Sequence, residues 1–181
     1  YPNAKYMYLG RNIETKYKLY SIEDEGNGGA FHYMYTLMDL VIGEMVTYIP
    51  KYAFKGLKEL RTVKFGQKIK MIGDYAFSNC KLLNRVLLPH DLTILGFNVF
   101  DSCESLTSIT FDKNIKKVKF DFTDCDNLTE INCLAPIPPE LRSFEPNVCF
   151  NATLYVPIGS IPLYQKALGW KDFISIKEVN Q

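Results

Sequence analysis

Ile72-Gly73-Asp74-Tyr75-Ala76-Phe77-Ser78-Asn79-Cys80-Lys81-Leu82-Leu83-Asn84-Arg85-Val86-Leu87-Leu88-Pro89 decides the fold, because the chain repeats its pattern on both sides. One copy upstream reads Ala53-Phe54, then Leu57, Leu60 and Val63; one copy downstream reads Gly96, then Val99-Phe100, Cys103, Leu106 and Ile109. Phenylalanine recurs at Phe31, Phe54, Phe77, Phe100 and Phe122, and leucine at Leu37, Leu60, Leu83, Leu106 and Leu128. Both series step by 23, 23, 23 and 22 residues. A fixed period of this size marks a stacked solenoid.

Each unit carries two strand signals. The first alternates apolar and polar residues, as in Val63-Lys64-Phe65 and Ile109-Thr110-Phe111, so one face is buried and the other is wet. The second is shorter: Ile69-Lys70-Met71-Ile72, Leu92-Thr93-Ile94-Leu95 and Ile115-Lys116-Lys117-Val118. Turn residues separate them: Gly66-Gln67-Lys68, Pro89-His90-Asp91 and Asp112-Lys113-Asn114. The Ala-Phe segment reads as a short helical turn or loop whose phenylalanine plugs the core. A single unit cannot bury all of this. Stacking aligns the leucines into one ladder and Val63, Val86 and Ile109 into another, with parallel strands about 4.8 Å apart. At roughly 25 cal/mol per Å² of apolar burial, the stack rather than the unit is the stable object.

The expected fold is a mainly β repeat solenoid of about four to five rungs with dedicated end caps, because an open rung exposes apolar surface and unpaired backbone. Residues 1–29 are assigned to the N-terminal cap, with a strand in Tyr8-Leu9-Gly10-Arg11-Asn12-Ile13. Residues 30–137 form the solenoid and 138–181 a small α/β C-terminal cap, the whole being one structural unit. The C-terminal stretch shows no repeat. Pro136, Pro138 and Pro139 mark an irregular turn, and Thr153-Leu154-Tyr155-Val156 is a strand ended by Pro157. Ser160 is placed as the N-cap of a helix carrying Tyr164, Ala167 and Leu168 and stopping at Gly169. Trp170, Phe173 and Ile176 are expected over the last rung.

Composition excludes several function classes. Apolar residues make up 47% of 181, enough for a substantial core. The net charge is +1 with lysine and arginine scattered, which argues against nucleic acid and against a polybasic membrane contact. No apolar run approaches the roughly 18 residues of a membrane span. Tyr1-Pro2-Asn3 begins without a basic stretch and an apolar one, so no signal peptide is read there, and the start resembles the interior of a longer chain.

The motif Ile72-Gly73-Asp74-Tyr75-Ala76-Phe77-Ser78-Asn79-Cys80, followed by Leu83, Val86 and Pro89, resembles the BspA-type leucine-rich repeats. The stretch Leu154-Tyr155-Val156-Pro157-Ile158-Gly159, through Tyr164 to Gly169-Trp170-Lys171-Asp172-Phe173, resembles the closing segment common in Bacteroides-type members. The resemblance covers about residues 30–181 and implies a right-handed leucine-rich-repeat solenoid. It implies a secreted or surface-anchored bacterial protein that adheres to proteins, cells or glycans, without catalysis or cofactor. Three departures stand out: Leu57 at the cysteine phase, Pro50 at the glycine phase, and a short last unit. The asparagine ladder of other leucine-rich repeats is missing, its place held by Lys68, Asp91 and Asn114.

Side chains with chemistry are few. Cys80, Cys103 and Cys125 share one phase and read as a buried thiol ladder, since no C-x-x-C occurs and zinc needs about four converging ligands. Pairing of Cys133 with Cys149 across the proline loop is left open. Asp121, Asp124 and Asp126 read as a solvated turn rather than a calcium loop, because the loop itself lacks glycine and has no further acidic partner close by except Glu130. His90 shares its phase with Gln67 and Lys113, so it reads as a solvent position rather than a base; His32 is the only other histidine. Asn127-Leu128-Thr129 and Asn151-Ala152-Thr153 match a glycosylation pattern that carries no weight in a bacterial protein.

No catalytic, cofactor or metal residue is therefore assigned. The candidate binding face is the outward side of the main strands: Thr62, Arg85, Ser108 and Glu130 in one row, and Lys64, Leu87, Thr110 and Asn132 in the next, which Val41 extends. Its assignment to the concave side follows from the family resemblance. The expected partner is a protein or glycan at a cell surface, bound by a monomer outside the cell. A carbohydrate-binding module is a rival, and would be favoured by aromatic residues in these rows, which as read hold none. A β-solenoid polysaccharide lyase or hydrolase would need converging carboxylates, and only Glu130 lies in the rows. A spacer presenting a neighbouring domain is the remaining alternative.

Overall fold

Alternating strands become a stable structure here only by pairing with the same strand of the next repeat. The computed structural model, which describes residues 4–11, 31, 34–119 and 122–179, has this arrangement throughout. Its elements run β1 (Tyr6–Arg11), β2 (Asp39–Met45), β3 (Tyr48–Ile49), β4 (Thr62–Lys64), β5 (Met71–Ile72), β6 (Arg85–Leu87), β7 (Ile94–Leu95), β8 (Ser108–Phe111), β9 (Lys117–Val118) and β10 (Glu130–Cys133). Then follow α1 (Pro146–Asn151), β11 (Thr153–Val156), α2 (Ile161–Tyr164), a 3₁₀ turn (Trp170–Asp172) and β12 (Ser175–Glu178). The main face holds the sheets β1-β2-β4 and β6-β8-β10-β11-β12, and the second face holds β3-β5-β7-β9. Every pairing is parallel. The two main sheets meet at a seam between β4 and β6, where the Asn84 amide donates to Arg61 O at 3.5 Å.

The Ala-Phe segments form a third hydrogen-bonded side rather than a helical turn. Tyr52 N, Phe54 N and Gly56 N donate to Asp74 O, Ala76 O and Ser78 O of the next rung at 3.0, 2.8 and 2.8 Å. Tyr75 N, Phe77 N and Asn79 N repeat this one rung later. Two left-handed residues per rung make it possible: Tyr52, Tyr75 and Asn98 in one phase, and Gly56, Asn79, Ser102 and Asp124 in the other. Alternating handedness turns every second amide along the stack. Leu57 and Pro50 leave this turn unchanged: Leu60 N donates to Leu57 O at 3.0 Å as Leu83 N does to Cys80 O, and Ala53 N donates to Pro50 O at 3.3 Å as Ala76 N does to Gly73 O. The short last unit has a local effect. Phe122 carries φ +75°, while its repeat partners Phe54, Phe77 and Phe100 have no positive φ.

Three ladders fill the interior. The phenylalanines stack from Phe31 to Phe54, Phe77, Phe100, Phe122 and Phe144 with ring centroids 5.2, 5.1, 5.8, 6.3 and 5.8 Å apart. The leucines Leu37, Leu60, Leu83, Leu106 and Leu128 are fully buried. Each thiol of the cysteine ladder donates to the carbonyl of the phenylalanine one rung back: Cys80 to Phe54 at 3.3 Å, Cys103 to Phe77 at 3.3 Å and Cys125 to Phe100 at 3.1 Å. This satisfies carbonyls that the left-handed turn leaves inside the core, which explains the preference for a small residue with a weak donor. All five cysteines are free, so Cys133 and Cys149 are not paired.

The solenoid is longer than the four to five rungs expected. Eight main-face strands lie among the described residues. Ile131, Leu154 and Ile176 continue the inward ladder of Leu40, Val63, Val86 and Ile109 in strict register. The stretch 138–181, read as non-repeating, therefore contributes two strands and a phenylalanine to the stack. At its end Trp170 is fully buried, edge-on to Phe111, Phe144 and Tyr164, with Phe173 against Phe144, whereas Ile176, expected over the last rung, is part of its strand β12. The helix after Ser160 is a single turn and does not run to Gly169, and the Ser160 hydroxyl donates to Pro136 O at 3.2 Å instead of capping it. The expected N-terminal strand is present as β1; the rest of the 1–29 cap, with Asn12 and Ile13, falls outside the described residues.

The glycine of the repeat motif has a backbone reason. A Cβ on Gly73 would sit 2.6 Å from Lys51 N, and one on Gly96 2.6 Å from Asp74 N. Gly73→Ala must push two rungs apart and is expected to destabilise by about 1–3 kcal/mol, as overpacking does. Thermal unfolding of the variant checks this; an unchanged midpoint would show that the corner accommodates a methyl group.

Candidate functional site

Period-2 alternation and strict register bring the predicted residues together. Arg85, Ser108 and Glu130 lie side by side on β6, β8 and β10, and Leu87, Thr110 and Asn132 form the adjacent row. Thr62 and Lys64 occupy the same positions on β4 across the seam, beside Asp39 and Val41 of β2. Thr62, Lys64, Arg85 and Leu87 are exposed, while Ser108, Thr110, Glu130 and Asn132 are half-buried.

The rows extend further than the repeat indicated. β1 adds Tyr6 beside Asp39 and Tyr8 beside Val41. β11 adds Thr153 and Tyr155, and β12 adds Ser175 and Lys177. The rows are therefore not free of aromatic residues: Tyr6 and Tyr8 are 75% and 70% exposed, and Tyr155 is half-buried. The period missed β1 because Tyr6 pairs with Asp39, 33 residues on, instead of 23. The alternation Tyr6-Met7-Tyr8-Leu9 was the available signal. Tyr8 lies over the glycine row, its hydroxyl 2.5 Å from where a Cβ on Gly43 would be, so glycine at that position is what lets the ring cover the sheet.

The two halves of the face differ electrostatically. Toward the C-terminal end some polar groups pair within the face: Asn132 Nδ2 donates to Glu130 Oε1 at 2.7 Å and Thr153 Oγ1 to Ser175 Oγ at 3.3 Å, while Lys177 is exposed and takes no partner among the described residues. On the N-terminal side the Asp39 carboxylate accepts from the Thr62 hydroxyl. Lys64 and Arg85 take no side-chain hydrogen bond or ion pair among the described residues. Leu87, 68% exposed, and Val41 flank Lys64 in its row.

The other candidates resolve into structure. Burial pushes the Cys80 thiol up to about 12 and the Cys133 thiol up to about 11, so both are protonated and unreactive at neutral pH. Asp124 and Asp126 are exposed at a cleft of about 70 Å³ that also touches Thr123, Glu145 and Asn147; Asp121 lies outside the described residues. Ser102 donates to both Asp101 and Asp124 at 3.4 Å. Burial is the main reason the Asp101 carboxyl is raised; the Ser78 hydroxyl opposes it and Asp124 adds to it. Among the described residues no three His, Cys, Asp or Glu side chains come together as a metal site.

His90 is not a simple solvent position. Gln67 N donates to Glu44 Oε2 and His90 N to Gln67 Oε1, both at 2.9 Å, and His90 Nδ1 lies 3.1 Å from Asp112 Oδ1. These turn side chains cross-link four successive rungs, taking the place of the missing asparagine ladder. His32 falls outside the described residues.

The repeat and its stacking are matched by comparison. The model of the BspA-type leucine-rich repeat region fits residues 27–154 in 6 copies. The chain belongs to the BspA-type leucine-rich repeat family. The 6 copies again exceed the four to five units read from the sequence. Among solved structures, this family member is similar to the leucine-rich repeat protein of T. pallidum, with TM-score 0.59 and 23% identity over 72% of this chain and 59% of that one. It is also similar to the pneumococcal vaccine antigen PcpA, with TM-score 0.60 and 19% identity over 80% of this chain and 36% of that one. At these identities the likeness is one of fold, and the chain spans only part of each structure. No curated protein matches the sequence.

Proposed function

We propose that this leucine-rich-repeat protein is a non-enzymatic binding module that contacts a partner protein through the outward face of its main strands. The observation that carries the reading is the set of large apolar side chains, Tyr6, Tyr8, Val41 and Leu87, exposed on the main strand face on both sides of its seam, beside Lys64 and Arg85. Clustered exposed aromatic and aliphatic side chains with arginine are what protein interfaces use as anchors. A rigid, laddered sheet presents them at little ordering cost. Display at a cell surface or secretion is the setting the family implies, and no helix among the described residues is long and apolar enough to cross a membrane. The tyrosines of β1 give a specific reason to retain glycan binding as a second reading, since aromatic faces also stack on sugar rings.

The test is a binding screen against extracellular-matrix proteins and glycans, with wild type beside an Arg85→Glu, Leu87→Asp double variant. Loss of a protein ligand by at least about 30-fold in the folded variant is the expected outcome, the scale of one interface anchor. A ligand retained by the variant moves the site off this face. A panel with glycan ligands alone selects the second reading, and a panel with no ligand favours the spacer.

A further inference from the structure

The exposed strand face brings two unpaired cations together at the seam, while Lys177 of β12 stands apart at its C-terminal end. Lys64 on β4 and Arg85 on β6 face each other diagonally across the seam, one row apart. Neither side chain has an ion-pair partner among the described residues, where Lys81, Lys117 and Lys119 are the only lysines that have one; what sets Lys64 and Arg85 apart is their adjacency on the strand face. The nearest carboxylate in the rows on the N-terminal side, Asp39, is occupied by the Thr62 hydroxyl. Glu130 is two strands beyond Arg85 and holds Asn132. Apolar side chains border the pair on one side: Val41 and Leu87 lie on either side of Lys64, with Tyr8 beyond Val41, while Arg85 lies in the row of Thr62 and Ser108.

We infer that this patch binds an extended acidic polypeptide segment, with carboxylates at alternate residues and apolar residues beside them. The inference rests on the strand-face reading above and names the chemistry of its partner. Strand separation and rise place the backbones of Lys64 and Arg85 about 8 Å apart on the diagonal. Same-side residues of an extended chain recur every 6.6–6.8 Å or so, a difference that two long, flexible side chains absorb. Acidic residues at i and i+2 therefore meet both cations at once, while flanking apolar residues of the partner rest on Val41, Leu87 and Tyr8. Both ion pairs remain solvent-exposed, so each contributes modestly and the apolar contacts supply the rest. A helical acidic segment places its i and i+2 residues on different sides and does not satisfy the geometry.

Fluorescence anisotropy with a labelled alternating Val/Glu octapeptide tests this. The Val/Glu peptide is expected to bind about tenfold tighter than a Val/Gln peptide at low salt, and to weaken as salt is raised. A Lys64→Gln, Arg85→Gln variant, shown folded by circular dichroism, is expected to lose about tenfold. A Lys70→Gln, Lys113→Gln variant, with the same charge change away from the face, is expected to bind like wild type. Equal binding of both peptides, no binding of the Val/Glu peptide, or undiminished binding by the first variant overturns the inference. So does binding of a heparin oligosaccharide in place of the peptide, which would assign the cations to an anionic glycan. If the peptide fails while the Arg85→Glu, Leu87→Asp variant still loses a protein ligand in the screen, the acidic segment is rejected and the strand-face reading stands. If neither variant alters any protein ligand, both fall.

Discussion

Phe77→Ala is expected to lower the free energy of unfolding by about 3–5 kcal/mol, a large part of what holds a domain of this size together. Phe77 is fully buried, stacked between Phe54 at 5.1 Å and Phe100 at 5.8 Å, with the Phe65 ring edge-on at 5.7 Å. Removal leaves a gap in the middle of the ladder. The rungs above and below cannot close it, because their spacing is set by the backbone hydrogen bonds from Phe54 N to Ala76 O and from Phe77 N to Val99 O. In a stack stabilised by nearest-neighbour interfaces, a weak central interface also uncouples the two halves. Urea denaturation followed by circular dichroism should therefore show an earlier midpoint and a shallower or split transition. Phe77→Leu, which fills part of the volume, should recover most of the loss. A drop below about 1 kcal/mol in the alanine variant would mean that the sheets, and not the aromatic ladder, hold the stack.

Trp170→Ala is expected to cost a similar amount, about 3–5 kcal/mol, but with a local footprint. Trp170 is edge-on to Phe111, Phe144 and Tyr164 at 6.3, 5.1 and 5.3 Å, and its Nε1 donates to Pro139 O at 2.9 Å. The substitution removes the largest side chain of the terminal core and leaves the Pro139 carbonyl without its donor, a desolvated acceptor that adds to the loss. Tyr164, whose hydroxyl donates to Ala135 O at 2.8 Å, depends on Trp170 for its packing. Native-state hydrogen exchange should show faster exchange in α2, β11 and β12, with β2, β4, β5 and β6 protected as in wild type. Uniform acceleration through the whole stack would refute the idea that Trp170 closes one end, and would make it a global determinant instead.

The reach of the sequence can be traced residue by residue. Phe77, Leu83, Cys80 and Val86 were legible because each sits in a slot that the next rung duplicates, so burial writes itself as a period. Gly73 and Gly96 were visible as a motif, but the reason, a neighbouring backbone amide 2.6 Å from a would-be methyl, appears only once the rungs are stacked. Leu154 and Ile176 keep the strand phase, yet the thiol and leucine slots around them have changed, and proline and helix signals overlie them; the terminal rungs therefore read as a cap. The Glu44, Gln67, His90 and Asp112 ladder was hidden because four different side chains can each supply one link of the same hydrogen-bonded line.

The candidate face divides the same way. Thr62, Lys64, Arg85, Leu87, Ser108, Thr110, Glu130 and Asn132 followed from alternation within the period, since a strand with one buried face must expose the other. Tyr6 and Tyr8 did not, because β1 joins the sheet at an offset that no repeat length encodes. By itself, then, the sequence determined the rung, its family and the direction each strand residue points, because these depend on local alternation and on a period that burial enforces. Only the tertiary structure decided where the stack ends, which tyrosines join the face, and that Lys64 and Arg85 stand without a carboxylate beside Val41 and Leu87. Those outcomes depend on distances between residues far apart in the chain, and no local pattern of side chains records them.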